Sequence, residues 1–272
     1  MIKSILVPID YSEASRNALE TAAAIAEKNN AALQRLQIND TAHQYNMVAL
    51  KRAKQICYAM ADSLQQKNGI TTEVIFADGY IGPTIVKTAA EHQCDMIIMG
   101  AYGASGHRDL FIGSNSYYVI KYAACPVLTI PEGMKWHAFC KVLLPVRPML
   151  GRFKRFGLLN DMIGNATGLG ELEVFGISIE RKEQDIKQVQ DMASALQSEF
   201  NQPGVQVQVS YSESRNVAEE VLEKADKINA DLIIISTTVD VSNKQFFIGP
   251  FSQRIINHAR IPVLSILRSP EG

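Results

Sequence analysis

Cysteine is scarce in this chain. Four occur among 272 residues, Cys57, Cys94, Cys125 and Cys140, with no CxxC pair and no metal-ligand spacing. That excludes a disulfide scaffold and a thiolate metal site, and predicts buried free thiols in a reducing compartment. A surplus of one charge is missing too. The 27 Lys and Arg against 28 Asp and Glu leave a formal net charge of -1, without the basic excess on which nucleic-acid and anionic-membrane binders rely. Long apolar runs are absent as well. Stretches such as Ile5-Leu6-Val7-Pro8-Ile9 end after a few residues, where a bilayer span takes roughly 20. The apolar stretch near the amino terminus is closed by Asp10 and is too short for a secretory signal. The expectation is a cytoplasmic protein with no nucleic-acid or membrane partner. At 47% hydrophobic and 20% charged residues, apolar material for a packed core is plentiful.

The chain repeats itself. Phe111-Ile112-Gly113 returns as Phe247-Ile248-Gly249, 136 residues further on. At the same offset Asp95-Met96-Ile97-Ile98 matches Asp231-Leu232-Ile233-Ile234, and Pro126-Val127-Leu128 matches Pro262-Val263-Leu264. Ten of the twenty positions 111–130 are identical in 247–266, where about one is expected by chance. Ile5-Leu6-Val7-Pro8 also resembles Val142-Leu143-Leu144-Pro145. Two copies of one domain, 1–135 and 136–272, therefore meet near Pro131-Glu132-Gly133.

Short apolar runs alternate with amphipathic ones in each copy. In the first, Ile2–Ile9 reads as a strand and Ser12 as the N-cap of a helix reaching about Asn29. Leu33–Ile38 is a strand with Arg35 unusually inside it, and Tyr45–Lys67 is helical. Thr71–Ala77, Ile81–His92 and Met96–Met99 follow as strand, helix, strand, then helix Ser114–Tyr122 and strand Val127–Ile130. Near-continuous apolar strands alternating with helices predict an α/β fold, a doubly wound parallel sheet in each copy.

Ligands of such sheets bind beyond the carboxyl ends of the strands, where strand order reverses. Asp10 follows the first strand and can accept from ribose hydroxyls or a base. After the fourth come Gly100, Gly103 and Gly106, then His107-Arg108-Asp109, then Gly113-Ser114-Asn115-Ser116 opening a helix. Glycines admit an anion close to the backbone, and a helix start offers unpaired N–H donors. Ser114 and Ser116 add hydroxyls. A tight turn without a ligand is the alternative reading of such a loop. The Walker pattern is absent, and Gly168-Leu169-Gly170 lacks the third glycine of a dinucleotide fingerprint.

Gly100-x2-Gly103-x9-Gly113-Ser114 after an Asp-Met-Ile-Ile-Met strand, with Cys125-Pro126-Val127-Leu128 beyond, resembles the universal stress protein family. Residues 1–131 carry the whole pattern, including Pro8-Ile9-Asp10-Tyr11-Ser12, and 140–268 carry the fold pattern. The resemblance implies two Rossmann-like domains, of the adenine nucleotide alpha hydrolase-like kind, in tandem as a pseudo-dimer. It implies ATP, with Mg2+ as a possible companion, in the first domain. Pro8, Ile9, Asp10 and the backbone near Ile38 would hold adenine and ribose, and Met99 would flank the base. Gly100, Gly103, Gly113, Ser114, Asn115 and Ser116 would hold the phosphates. Where family members often carry Arg after the second glycine this chain has Ala104, so His107 and Arg108 are candidates for the positive charge, a solvated loop being the alternative.

The second copy has lost the motif. Gly100 becomes Ser236, Gly103 becomes Val239, Gly106 becomes Ser242, Ser114 becomes Pro250, and Arg147 replaces Asp10; Gly249 alone keeps its glycine. The expectation is no ATP there. The five histidines are scattered, with no HExxH and no Ser/His/Asp signature. Three functions follow as expectations: a nucleotide-dependent stress-response regulator with a protein partner and a homodimer of tandem units; a slow ATP hydrolase using Asp109; or a nucleotide-free scaffold binding another small molecule or a protein.

Overall fold

The computed structural model describes residues 2–40, 55, 69–101, 113–134, 137–146, 170–180, 182–199, 205–237, 239–240 and 247–267. The chain divides into two compact units, Ile2–Trp136 and His137–Gly272. The helix expected over 45–67 lies outside the described residues except for Gln55.

The first unit contains β1 (Ser4–Ile9), α1 (Glu13–Asn29), β2 (Ala32–Asp40), β3 (Thr72–Gly79), α2 (Ile81–Glu91), β4 (Met96–Gly100), α3 (Ser114–Tyr122) and β5 (Val127–Ile130). Its five strands are parallel in the order β3-β2-β1-β4-β5. The doubly wound sheet predicted from the strand pattern is present. Helix α1 begins as its sequence dictates, with the Ser12 hydroxyl accepting from Ser15 N at 3.1 Å. It ends where Asn30 turns left-handed at φ 52°, its N–H reaching back to Ala26 O and Glu27 O. Ala14, Ala18, Leu19, Ala22, Ile25 and Ala26 recur at helical spacing and are buried; α1 packs on β1, β2, β4 and β5.

Ile5, Leu6, Val7, Leu33, Leu36, Ile97 and Ile98 fill the core of this unit. Arg35 stands among them at 1% exposure, in register with Val7 and Val74. Helix α2 rests on β2 and β3 and against α3. There, a Cβ on Gly82 would meet the Tyr118 side chain at 3.0 Å, so the missing side chain permits the close approach.

The second unit contains β6 (Lys141–Val146), β7 (Glu171–Ser178), α4 (Glu183–Glu199), β8 (Gln206–Glu213), α5 (Val217–Ile228), β9 (Leu232–Thr237), β10 (Val239–Asp240), β11 (Phe247–Ile248), α6 (Pro250–His258) and β12 (Val263–Leu267). Its parallel strands run β8-β7-β6-β9-β12, the same order as the first unit. The copies share their local devices. Asp95 Oδ2 accepts from Lys3 N at 2.7 Å and Ser4 N at 3.0 Å, tying down the start of β1. Asp231 Oδ2 accepts from Lys141 N at 2.8 Å and does the same for β6. Asn229 caps α5 with φ 49°, as Asn30 caps α1. One core position differs in kind. Glu173 in β7 is buried, accepts from the Ser210 hydroxyl, and pairs with Lys224 of α5 at 2.8 Å.

The thiols depart from expectation. Cys94 is buried and Cys125 half-buried, but Cys140 is exposed; Cys57 lies outside the described residues. Cys140 precedes β6 rather than lying inside it, so no sheet face covers it.

Candidate functional site

Strand β1 pairs with β2 along its whole length, Ser4 to Ile9, but with β4 over Ile5 and Leu6 only. Beyond Leu6 the two strands part. Pro8 contributes to this, because it has no N–H to give to a ladder. The opening lies at the switch point of the sheet, bounded by the carboxyl ends of β1, β2 and β4, where an open parallel sheet accepts ligands.

Pro8 is half-buried and Ile9 buried, and both belong to the end of β1; Asp10 is exposed just past it. The Asp10 carboxylate is not left to wander. Its Oδ1 accepts from Ser12 N at 3.0 Å and from the Ser12 hydroxyl at 2.6 Å, while that hydroxyl accepts from Ser15 N. The carboxylate is thereby fixed to the start of α1. Between them Tyr11 holds φ 65°, the left-handed region that L side chains avoid. A bulky residue held there costs on the order of 1–3 kcal/mol, and such strain gathers at functional sites. No sequence signal announces Tyr11; only its backbone does.

Ile38 lies near the end of β2, half-buried, and Met99 is buried in β4 one residue before Gly100. Helix α3 is fastened over the end of β4. Gly113 N donates to Ala101 O at 3.4 Å, and the Ser116 hydroxyl, in a residue 3% exposed, donates to Gly100 O at 3.1 Å. Asn115 Oδ1 accepts from Gly82 N at 3.2 Å, so this side chain caps α2 from the neighbouring helix. The structure thus gives Ser116 and Asn115 the work of positioning the helix start. Gly113 is the N-cap of α3 with φ -54° and ψ 141°, a conformation open to any residue, so left-handed freedom is not what its glycine provides. Its N-cap glycine brings no capping side chain, no acidic residue stands in the first turn, and Ser114 at its head is exposed. Gly103, Gly106, His107, Arg108 and Asp109 lie outside the described residues.

In the second unit, residues 239–240 and 247–248 correspond to 103–104 and 111–112 of the first, which lie outside the described residues. Val239 pairs with Ile248, and Asp240 with Phe247, in a two-rung antiparallel ladder ahead of α6. Gly249 caps α6 with φ -55° and ψ 147°, nearly the angles of Gly113, but Pro250 at the next position has no N–H. Arg147 and Ser242 lie outside the described residues. Among the described residues no group of three or more His, Cys, Asp or Glu is arranged to hold a metal ion, and no helix is long and apolar enough to cross a membrane.

The universal stress protein family model matches residues 1–131 and again 170–266. The chain belongs to the universal stress protein family. Members of single-domain length match it over one half. A universal stress protein of Methanocaldococcus jannaschii is 26% identical over 145 residues, covering 50% of this chain and 85% of that protein. Universal stress protein YxiE of Bacillus subtilis is 26% identical over 147 residues, covering 48% of this chain and 99% of that one. A whole-chain match in fold comes from a universal stress protein of Archaeoglobus fulgidus, with a TM-score of 0.78, 22% identity and 98% of both chains covered. The two matches of the family model make this a chain of two universal stress protein domains in tandem.

Proposed function

We propose that the first unit binds ATP at the opening between β1 and β4, and that the second unit binds none. The observation that carries this reading is the pairing of two fixed features at one switch point. The Asp10 carboxylate is tied to the start of α1, and the start of α3, whose N-cap is a glycine, is tied to the end of β4. A carboxylate suits ribose hydroxyls, and an N-terminal helix turn free of acidic residues suits a phosphate. In this reading Pro8, Ile9, Ile38 and Met99 flank base and sugar. Gly100, Gly103, Gly113 and Ser114 approach the phosphates, with Asn115 and Ser116 holding the helix that does so and His107 adding charge. Mg2+ would accompany the polyphosphate. Occupancy biases the shape the protein shows a partner, which makes it a nucleotide-dependent regulator in the cytoplasmic stress response rather than an enzyme of rapid turnover.

Calorimetric titration with Mg-ATP tests this. The parent should bind with a stoichiometry of about one per chain. Asp10→Ala should weaken binding by about tenfold or more, the scale of a lost charge-assisted hydrogen bond. Gly113→Val should weaken it at least as much, through side-chain bulk on the path of the anion. The helix should survive, since a Cβ at the equivalent Gly249 meets nothing within 4 Å. Unchanged affinity in both variants would place the site elsewhere.

A further inference from the structure

Strand β8 ends the sheet of the second unit, with β7 on one side and, among the described residues, no strand on the other. Its backbone groups alternate. Gln206 N donates to Gly170 O and Ser214 N to Ser178 O, so the even-numbered residues of this stretch turn their N–H and C=O groups toward β7. The odd-numbered residues, Val207, Val209, Tyr211 and Glu213, turn theirs outward. One end of that outer edge is closed by the chain itself. Gln197 of α4 takes the place of a neighbouring strand: its Oε1 accepts from Val207 N at 3.0 Å, and its Nε2 donates to Val205 O at 3.4 Å. Among the described residues nothing does the same for Val209, Tyr211 and Glu213, and Val209 is 44% exposed.

An open strand edge is a template for another strand, and soluble proteins blunt it with charge, proline or a bulge. The edge strand of the first unit, β3, carries Glu73 and Asp78. From Gln206 to Ser212 the second unit has no charged residue, no proline and no glycine. We propose that this edge pairs with the same edge of a second copy of the chain, antiparallel about a two-fold axis at Tyr211. Gln197 decides the register, because it ends the open stretch before Val209 and leaves three outward residues centred on Tyr211. In an antiparallel pair with that centre, Tyr211 faces its own counterpart, each Val209 faces a Glu213, and each Ser210 faces a Ser212. No like charges meet across the axis, and the outward residues exchange N–H and C=O groups as hydrogen-bonded pairs. A two-fold contact of this kind uses up the edge and closes, so it yields a dimer and not a fibre. The contact is independent of nucleotide binding.

Sedimentation velocity of the full chain between about 1 and 200 µM reads the association directly. The parent should pass from monomer to dimer across that range. Val209→Pro removes an outward N–H and no bond to β7, the setting in which an edge strand tolerates proline. It should weaken self-association by about tenfold or more. Glu213→Pro should do the same from the far end of the stretch. Val209→Thr keeps the N–H and a β-branched side chain, and should associate as the parent does. A parent that stays monomeric throughout would overturn the proposal. So would a dimer that both proline variants, folded by their urea midpoints, form as well as the parent. Loss of the dimer in Val209→Thr would contradict it too, by tying the contact to the side chain and not to the open backbone.

Discussion

Tyr11 carries a left-handed backbone in a residue type that gains nothing from it, and its neighbours explain why it stays there. Asp10 and Ser12 are locked by the bonds between carboxylate, hydroxyl and helix start, and the residue between them takes whatever angle remains. Tyr11→Gly should therefore raise stability by about 1 kcal/mol, read from the midpoint of urea unfolding. Ser12→Ala removes the cap and one of the two bonds that hold Asp10, and should cost about 1 kcal/mol. The serine was legible in the sequence as an N-cap. The strain was not, because no residue pattern encodes a φ imposed by two neighbours. The glycines show the converse: Gly113 looks from sequence like a position chosen for freedom, and its φ of -54° demands none. Cysteine offers a pH test. Burial, the largest cause, pushes the Cys125 thiol up to about 12, and burial also raises that of Cys94. Between pH 9 and 12 the unfolded chain loses the Cys125 proton while the folded one keeps it, so stability must fall as pH rises through that window. Cys125→Ala should flatten this alkaline decline in urea midpoints measured from pH 8.5 to 10.5.

At the scale of elements, alternating apolar runs were enough to give strands, helices and their parallel pairing. Hydrophobic periodicity reports burial on both faces of a sheet directly. It set Arg35 inside β2 without a reason for it and did not single out Glu173 in β7. Both are buried, in strands where Leu33 and Leu36, and Leu172 and Val174, supply the apolar pattern. Glu173 has its counter-ion in Lys224, 18% exposed on α5 and also lying over the Phe175 ring at 5.3 Å. Lys224→Met would leave the carboxylate with the Ser210 hydroxyl but no positive charge, and should destabilise by about 3–5 kcal/mol in denaturant unfolding. The short β1–β4 ladder is the element-level origin of the candidate site. Pro8 in the first copy and Pro145 in the second mark it, and β6 likewise pairs with β9 over Val142 and Leu143 only. The opening is thus a property of the repeat, and in the proposed reading the residues around it decide whether it is used.

The whole molecule is one fold written twice with one motif kept. The sequence displayed this asymmetry clearly, since Gly103 against Val239 and Ser114 against Pro250 are differences of backbone chemistry. It did not display the β10–β11 ladder of the second copy, because that ladder comprises two residues on each side and falls below any periodic signal. The outward groups of β8 escaped for a related reason, being visible only once β7 and β8 are in register. The central claim is one working site per chain, in the first unit. Native mass spectrometry of the intact chain in Mg-ATP measures that number directly. The account predicts a single added nucleotide in the parent and none in Asp10→Ala. Two nucleotides per chain, or one that persists in Asp10→Ala, would contradict it.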